Sequence, residues 1–519
     1  MWVTVALVVA VVVVLFFRAN ARPPGLPPAG PFALPLVGNA LTILFLTPIG
    51  AFKKFAKDHG GILTYKVFGE WAVLVSDPAM MRAGLANPGL VGRNDNRLFG
   101  TRDDLIKGGK SPPLGIISTN GDAWKNQRRF TLRTLRDLGF GRNSLEPIMQ
   151  EELDELLQLL RRRQGEKVNM EMIFNVSIVN VIWAITIGKR YSYDDPRLEE
   201  LVRKTSKMGA AFNPFHPALR FAWVKKLFPN LSNLKAIEEG MGGVLTFIEG
   251  EMEEYRCQMA GKVDTGSYIG AYLHELDTLK PEEGDDSALS LHQLTANITE
   301  LFLAGSDTTS MTLRWAVYLL ASNPGAQRAM QDEMDRVVGR DNMPTLAHMD
   351  KLPYTMATIY EVQRVGDVFP FGVGRKTTED ITLAGYRIPR GTSVTFLLSR
   401  GLSDPKYWQE PDKFRPEHFL TDDGKIFKPD HFMPFGSGKR VCLGESLARL
   451  EVFLFLASIM HRFSWRLSED PVVWERSTVL SRPPNFSVYA VSREEQTAEE
   501  KQQQEGQGEE EKEEEEKEE

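Results

Sequence analysis

Cysteine is nearly absent from this chain: Cys257 and Cys442 are the only two among 519 residues. Two cysteines can form at most one disulfide, so a disulfide framework is excluded and folding in a reducing compartment is indicated. An all-cysteine zinc or iron–sulfur site is excluded too, because such sites need more thiolates than the chain has. A bound metal would therefore take most of its ligands from something other than cysteine.

The chain also lacks a strongly basic region. Its net charge of −7 includes a C-terminal segment, 494–519, whose 14 Glu and 3 Lys contribute −11, so residues 1–493 carry +4. A mildly basic body does not resemble a nucleic-acid-binding domain, and we predict no nucleic-acid partner. The segment 494–519 is low-complexity Glu, Gln and Lys and is predicted to be disordered.

One long apolar run stands at the N-terminus, where residues 2–17 include a single polar residue, Thr4. As a helix this run would span roughly 24 Å, slightly less than the roughly 30 Å hydrocarbon core of a bilayer. Arg18 and Arg22 follow the run and no basic residue precedes it, which favours an uncleaved anchor with the body in the cytosol. A cleaved signal peptide is the alternative, since residues 19–21 resemble a cleavage site.

The sharpest motif surrounds Cys442, where residues 435–444 read Phe-Gly-Ser-Gly-Lys-Arg-Val-Cys-Leu-Gly. Gly436 and Gly438 allow a tight turn with positive φ and a close approach to a planar ligand, and Gly444 is expected to do the same beyond the cysteine. A helix is predicted to begin just after Cys442, so that its N–H groups stabilise a thiolate. A buried free cysteine beside a glycine turn is the alternative.

These ten residues resemble the haem-binding loop of the cytochrome P450 superfamily at every fixed position of its pattern, Phe-x-x-Gly-x-Arg-x-Cys-x-Gly. The resemblance implies that Cys442 is the axial ligand to the iron of haem b (iron protoporphyrin IX) and that Arg440 neutralises a haem carboxylate. Phe435, Gly436 and Gly444 would complete the cofactor-binding loop. A strongly electron-donating thiolate is what O–O bond cleavage at haem iron requires.

A second motif, 304–309, lies within a long apolar helix that is predicted to open at a capping box, 290–293. Ala304 and Thr308 stand at i and i+4, so the Thr hydroxyl can bond back to the carbonyl of residue 304 and open the helix locally. The motif resembles the family's oxygen-activation site. The resemblance implies that Thr308 and Asp307 are catalytic and relay protons beside the haem, where Ala304 lines the cofactor groove.

Further residues match other features of the family. Glu361 and Arg364, on one helix turn, and His418 resemble its structural charge network. Haem propionates would be bound by an indole and by guanidinium groups from several parts of the chain: Trp124, Arg128, Arg375 and Arg440, with Arg93 as a further candidate. Residues 374–376 depart from the family's usual Pro-His-Arg, although Arg375 keeps a guanidinium there.

The sequence signals for the substrate pocket are less specific than the motifs above. The substrate pocket is expected to draw on four segments, 93–121, 208–229, 298–304 and 369–373. Three individual residues are expected to line it: Phe302, Ala304 and Val373.

Arg129, Arg133 and Arg136 form a basic stripe at i, i+4 and i+7. This stripe is predicted either to dock an acidic electron-donor protein or to be an ordinary solvated helix face.

Hydrophobic patterning alone predicts a mainly α chain with some β structure, including a hairpin over 62–76 with its turn at Gly69-Glu70. The resemblance implies a mainly α triangular prism with a smaller β lobe and an N-terminal transmembrane helix. We predict four regions along the chain: a transmembrane signal anchor (1–20), a proline-rich spacer (21–39), a haem-thiolate monooxygenase domain (40–493) and an acidic tail (494–519).

The resemblance is to the animal microsomal branch of the family. It implies a single-pass protein of the endoplasmic reticulum membrane that inserts one oxygen atom from O2 into a lipophilic steroid, fatty acid, terpenoid or xenobiotic, by hydroxylation or epoxidation. NADPH–cytochrome P450 reductase would supply electrons, with cytochrome b5 as a second candidate donor. Two alternatives stay open: a haem-thiolate isomerase or dehydratase acting on a lipid peroxide, and a non-catalytic haem-binding protein.

Overall fold

The computed structural model describes residues 21–34, 36–94, 97–108, 112–211, 234–259, 265–279, 289–469 and 480–494, with isolated positions in 2–14. The predicted acidic tail beyond residue 494, most of the predicted anchor (1–20) and most of the pocket segment 208–229 lie outside the described residues. Within these described ranges, no helix combines the length and apolar character needed to cross a membrane.

Helices dominate the described residues. In chain order they are α1 (Ala40–Phe45), α2 (Pro48–His59), α3 (Pro78–Ala86), α4 (Arg97–Lys107), α5 (Gly121–Asp137), α6 (Glu146–Arg162), α7 (Asn175–Thr186), α8 (Pro196–Ala211), α9 (Leu234–Gln258), α10 (Tyr268–Leu279), α11 (Leu291–Ser322), α12 (Pro324–Val337), α13 (Pro353–Gly366), α14 (Ser399–Ser403) and α15 (Glu445–Arg462).

The strands are short and form separate small sheets. They are β1 (Ile62–Val67), β2 (Glu70–Val75), β3 (Gly92–Arg93), β4 (Val168–Asn169), β5 (Arg375–Lys376), β6 (Ile381–Leu383), β7 (Tyr386–Ile388), β8 (Ser393–Phe396), β9 (Phe463–Leu467) and β10 (Ser487–Ser492). One sheet has the order β1-β2-β8-β5-β3, another has β4-β10-β9, and β6 pairs with β7. The mainly helical fold with small sheets, expected from the sequence, is confirmed.

The predicted hairpin is present, but its turn is displaced by one residue. Val67 pairs with Glu70, so the two turn residues are Phe68 and Gly69 and not Gly69-Glu70. Both turn residues have positive φ, at 50° and 87°. Two-residue hairpin loops favour this conformation because it matches the twist of the strands, and here the non-glycine Phe68 adopts it.

Helix α11 runs through the main core and packs against α7, α13 and α15. Its N-cap is Ser290, whose hydroxyl accepts from the N–H of Gln293, as predicted. The predicted capping box is only half formed, because the Gln293 side chain accepts from the N–H of Gly115 and the N–H of Ser290 donates to the hydroxyl of Tyr272. Gly305 lies where α7 crosses, because a Cβ there would overlap the side chain of Ile182. A small residue at this position therefore lets the two helices approach closely.

The proline-rich segment 21–39 is attached to the body from Leu26 onward. Leu26 is buried, and the N–H of Gly30 donates to the carbonyl of Thr64 in β1 at 2.8 Å. The N–H of Thr64 donates in turn to the carbonyl of Pro28, also at 2.8 Å. These contacts fix the segment against the first sheet.

Candidate functional site

The loop before Cys442 is closed by a backbone hydrogen bond from the N–H of Cys442 to the carbonyl of Phe435, at 3.0 Å. Gly436 and Gly438 have φ of 72° and 73°, as predicted. A Cβ on Gly438 would also overlap the carbonyl oxygen of Leu85, so this position needs glycine for two reasons. The Phe435 ring lies beneath the guanidinium of Arg449, whose carbon is 5.8 Å from the ring centroid.

Gly444 does not repeat this conformation. Its φ is −86°, which any residue adopts, so the prediction of a positive φ on this side of the cysteine is wrong. Gly444 is instead the residue that precedes α15, and a Cβ there would lie 4.0 Å from the Cys442 sulfur. The loop therefore turns sharply only before the cysteine, and the helix begins directly after it.

The Cys442 thiol has opposing influences on its pKa. Burial raises the pKa, and the charge of Glu445 acts in the same direction. The N–H groups of Gly444 and Glu445 and the charge of Arg128 lower it, but the pKa still lies above its ordinary value. The predicted stabilisation of a thiolate by the helix N-terminus is thus present but insufficient, and a cation bonded to the sulfur would complete it.

Four arginines from separate elements converge near this cysteine. Arg93 and Arg375 face each other across the β3–β5 pair, while Arg128 projects from α5 and Arg440 from the cysteine loop. Burial lowers the pKa of Arg440 to about 9, assisted by the charges of Arg375 and Arg128. Burial likewise lowers the pKa of Arg375 to about 10, with Arg128 contributing. Cations placed this close together favour a ligand with more than one negative charge.

The contacts of these residues leave donors for such a ligand. Nη1 of Arg375 and the indole Nε1 of Trp124 are buried and have no hydrogen-bond partner among the described residues. The Arg440 guanidinium carbon lies 3.8 Å from the Trp124 ring centroid, so these two side chains stack. Arg128 instead donates to the carbonyl of Val441 at 2.8 Å.

On α11 the predicted back-bond is present, because the Thr308 hydroxyl donates to the carbonyl of Ala304 at 2.7 Å. Ala304 is exposed, whereas Phe302, two residues before it, is fully buried. Asp307 lies near Arg314 and Arg482, and burial raises the pKa of its carboxyl despite those two charges. The helix stays continuous through this turn.

Two predicted pocket residues have other contacts. Phe302 stacks on Trp183 of α7, with ring centroids 5.0 Å apart and planes 11° from parallel. It therefore belongs to the core between the helices, on a different face of α11 from Ala304 and Thr308, and the prediction that it lines the pocket is wrong. Val373 is half-buried, and its carbonyl accepts from Nη1 of Arg93 at 2.8 Å.

Sequence reasoning did not single out two buried carboxylates on the neighbouring helices. Glu300 lies one turn before Ala304 on α11 and contacts the segment between α4 and α5. Glu451, on α15, is near the hydroxyl of Thr309 at 3.4 Å, and burial raises its pKa to about 8. An acidic residue inside an otherwise apolar helical run was the signal available for both.

The residues of the predicted charge network are in contact. Arg364 donates twice to Glu361, at 2.7 Å each, and Nδ1 of His418 lies 3.2 Å from the same carboxylate. Burial pushes the pKa of Glu361 up, but hydrogen bonds from Arg364 and His418 outweigh it and the pKa lies below its ordinary value. Arg364 also donates to the backbone carbonyls of Leu402, Pro411 and Lys413. The network thus joins α13 to the irregular segment that precedes the cysteine loop.

A cysteine beside a cluster of buried cations, with unpaired donors around it, fits an iron porphyrin that carries two carboxylates. The family model described as Cytochrome P450 matches residues 27–490. The chain belongs to the cytochrome P450 family. It is therefore a haem-thiolate monooxygenase, an oxidoreductase whose cofactor is haem b.

Individual cytochromes P450 from animals match over most of their length. Cytochrome P450 2J2 of Homo sapiens is 34% identical over 469 residues, which cover 87% of this chain and 88% of the relative. Cytochrome P450 2L1 of Panulirus argus is 33% identical, covering 92% and 97%, respectively. Cytochrome P450 2B4 of Oryctolagus cuniculus is 32% identical, covering 92% and 96%. These relatives place the chain among the animal microsomal cytochromes P450.

Proposed function

We propose that this cytochrome P450 hydroxylates or epoxidises a lipophilic small molecule (a steroid, fatty acid, terpenoid or xenobiotic) with electrons from NADPH delivered by a membrane-bound reductase. The observation that carries the proposal is the junction of α11 and α15. There the Ala304–Thr308 turn and the Cys442 loop belong to packed helices that are linked through Thr309 and Glu451. With haem bound at Cys442, this arrangement would bring a hydroxyl and an apolar methyl to the same cofactor.

We assign the following roles at the site. Cys442 ligates the iron, and the propionates are bound by an indole and by guanidinium groups: Trp124, Arg128, Arg375, Arg440 and Arg93. When bound, the haem supplies the iron at which O2 is activated. Donors that are buried and unpaired in the protein alone would gain charge-assisted hydrogen bonds from the two carboxylates, and this offsets the cost of burying the cations.

Proton handling is assigned to Thr308 and Asp307. The Thr308 hydroxyl donates to the Ala304 carbonyl within its own helix, so it can exchange that acceptor for another one without moving the backbone. Burial raises the pKa of the Asp307 carboxyl and so favours its neutral form, which suits this side chain to hold a proton. Retention of this pair favours oxygen-dependent chemistry over peroxide rearrangement.

We place the protein at the endoplasmic reticulum membrane, with its catalytic domain in the cytosol. Apolar side chains are exposed along the segment that follows the predicted anchor: Phe32, Leu34, Leu36, Leu41, Phe45 and Leu46. Phe32, Leu36 and Phe45 have 76–86% of their surface accessible, which is a large apolar exposure for adjacent parts of one segment. A bilayer surface beside the anchor would cover them.

We propose that the basic stripe on α5 is the docking surface for a negatively charged electron donor, either NADPH–cytochrome P450 reductase or cytochrome b5. Arg129, Arg133 and Arg136 are all exposed, as a docking surface requires. Arg128, on the same helix, contacts the residue that precedes the iron ligand. Electrons arriving at this face would therefore enter close to Cys442.

Reconstitution in phospholipid vesicles with the reductase and NADPH tests the proposal. Screening steroids, fatty acids, terpenoids and drugs should give an oxygenated product that requires both NADPH and O2. Thr308→Ala should keep NADPH oxidation but lower the product formed per NADPH about tenfold, because the hydroxyl that manages protons is lost, whereas Thr308→Ser should retain coupling. Product formation from lipid peroxides alone, with none from NADPH and reductase, would replace this proposal with the isomerase alternative.

A further inference from the structure

The loop 112–120, which joins α4 to α5, is bound on one side by two of the clustered arginines. Nη1 of Arg440 donates to the carbonyl of Ile116 at 3.0 Å, and Nε of Arg93 donates to the carbonyl of Ile117 at 3.1 Å. Nη2 of Arg440 also donates to the carbonyl of Thr119 at 2.6 Å. The carbonyl groups of this loop therefore help to orient the guanidinium groups assigned to the haem propionates.

The same loop is bound from the opposite side by a carboxylate of the central helix. Oε2 of Glu300 accepts from the N–H of Ile116 at 2.6 Å and from the N–H of Ile117 at 2.8 Å. Both backbone groups of these two residues thus have charged partners, a carboxylate for each N–H and a guanidinium for each carbonyl. Hydrogen bonds to ionised groups are the stronger kind, so this loop is firmly held.

A second layer of side chains holds Glu300 in place. Nη1 of Arg102 donates to Oε1 of Glu300 at 2.8 Å, and Arg102 is fully buried. Its other donors bind Asp103 at 2.6 and 2.8 Å and the carbonyl of Leu114 at 2.7 Å. Asp103 in turn accepts from the N–H of Leu114 at 3.1 Å. A buried guanidinium with partners in every direction keeps the carboxylate in one orientation.

The position of Glu300 on α11 also suggests a second possible role for its carboxylate, in substrate binding. Glu300, Ala304 and Thr308 stand at i, i+4 and i+8, so they lie along one side of the helix. A carboxylate there could bind a cationic substrate. However, Glu300 is only 2% exposed, and its two oxygens already accept from three donors. Its contacts are those of a group that holds the backbone.

We propose that Glu300 is a positioning residue that fixes the 112–120 loop between α11 and the arginines Arg93 and Arg440, so that one side chain couples the wall of the substrate pocket to the haem-propionate anchors. The inference rests on the proposed propionate-binding role of those arginines. Loss of the carboxylate would release the N–H groups of Ile116 and Ile117. The loop would then loosen, and the guanidinium groups that its carbonyls orient would loosen with it.

Amide hydrogen exchange of the haem-loaded protein measures directly how well Glu300 protects the N–H groups of Ile116 and Ile117. In Glu300→Gln the amide NH2 must face either Arg102 or the backbone donors, so exchange at Ile116 and Ile117 should become about tenfold faster. Transfer of haem to apomyoglobin should accelerate by a similar factor, because the propionate anchors are less well held. The wild-type carbon monoxide spectrum, measured in parallel, tests the proposed function independently of the loop.

Glu333→Gln is the matched control. Glu333 is also a buried carboxylate that accepts from two backbone N–H groups, those of Tyr354 and Thr355, at 2.8 Å each. In this variant exchange should rise at those two residues, whereas exchange at Ile116 and the rate of haem transfer should change less than about twofold. Equal haem loss in the two variants would show a merely structural effect and would overturn the inference.

If Glu300→Gln does not fold, Asp103→Asn supplies the test, since it keeps Glu300 but leaves an amide where the Leu114 N–H and Arg102 donate. Exchange should then rise first at Leu114 and extend to Ile116. Wild-type exchange rates throughout 112–120 in either folded variant would overturn the positioning role. Such a result would leave the spectrum, and so the proposed function, untouched.

Discussion

Glu451 is a buried carboxyl whose ionisation is strongly altered by its surroundings. It is buried on α15, and one carboxyl oxygen has no hydrogen-bond partner in the described part of the chain. Burial raises its pKa to about 8 from 4.5. Between these two pH values the folded state holds a proton that the unfolded state releases. Stability contributed by this group is therefore full below the unfolded pKa and is lost as pH rises through the folded pKa.

We expect Glu451→Gln, which keeps a neutral hydrogen-bonding side chain, to remove this dependence. The free energy of unfolding of the wild type should fall by up to about 1.4 kcal/mol per pH unit relative to the variant as pH rises from about 5 to about 8. Denaturant titrations of both proteins across this range measure the difference. Parallel stability curves would show that the Glu451 carboxyl is already ionised at neutral pH.

For single residues, the sequence could predict those roles that depend only on residues nearby in the chain. The turn at Gly436 and Gly438 before Cys442 follows from a ten-residue motif, although Gly444 does not take the conformation predicted for it. The Thr308 back-bond follows from helix spacing. Glu300 and Glu451 could not be assigned, because their partners come from other elements that meet them only in the folded protein. Phe302 was misplaced for a related reason: two positions along a helix is half a turn, enough to move a side chain from the cavity to the core.

At the level of elements, the cysteine loop depends on glycine to different degrees at two positions. Gly436 and Gly438 share a positive φ, but a Cβ at Gly436 would meet open space, whereas one at Gly438 would overlap the carbonyl of Leu85. We expect Gly436→Ala to cost about 1–2 kcal/mol of stability from backbone strain alone. Gly438→Ala should cost more and should displace the loop from α3.

Haem content and the unfolding midpoint of the two alanine variants test this difference. Gly438→Ala should retain less haem than Gly436→Ala, since only the former must move the backbone that precedes Cys442. Equal haem retention and equal midpoints would mean that the contact with Leu85 relaxes without effect on the loop, contrary to the account.

Helices and strands that carry a local sequence signal could be predicted, but the residues at which they end were predicted less accurately. The apolar pattern and the Ser290 cap locate α11, and runs of strand-forming residues on either side of Gly69 locate β1 and β2. The hairpin turn was predicted one residue late because Gly69 was taken as its first residue, whereas Phe68 adopts the positive φ before it. The pairing of Val67 with Glu70 decides the position of the turn, and both faces of these strands are buried, so the apolar pattern could not fix the register in advance.

For the whole molecule, the exposed basic stripe makes a prediction about electron transfer. Arg133→Glu combined with Arg136→Glu should slow reduction by the reductase about tenfold or more at low ionic strength, because complementary charge steers the encounter. Raising the salt concentration should shrink the difference between variant and wild type. Stopped-flow reduction of the haem by the NADPH-reduced reductase is the measurement.

The paired reversals Arg161→Glu and Arg162→Glu are the control. These two arginines are likewise exposed but lie at the end of α6. They change the net charge by the same amount, so they separate local docking from the field of the whole protein. If both double variants slow reduction equally, the α5 stripe is an ordinary solvated face, which is the alternative that the sequence left open.

The convergence of the arginines is a property of the whole fold. Sequence motifs indicated Arg128, Arg375 and Arg440 separately. Arg93 comes to lie opposite Arg375 only because β3 pairs with β5. Such long-range pairing is not encoded in any one segment. The same holds for the 112–120 loop, whose neighbours on α11 and in the cysteine loop lie more than a hundred residues away in sequence.

The central claim is that Cys442 ligates haem iron as a thiolate, and the carbon monoxide difference spectrum of the reduced protein tests it most directly. Cys442→Ser is the variant, and Cys257→Ser is the matched control because Cys257 is the other cysteine of the chain. We expect a strongly red-shifted Soret band in the wild type and in Cys257→Ser, and its loss in Cys442→Ser. A folded, haem-loaded wild type without that band, or a Cys442→Ser variant that keeps it, would contradict the account.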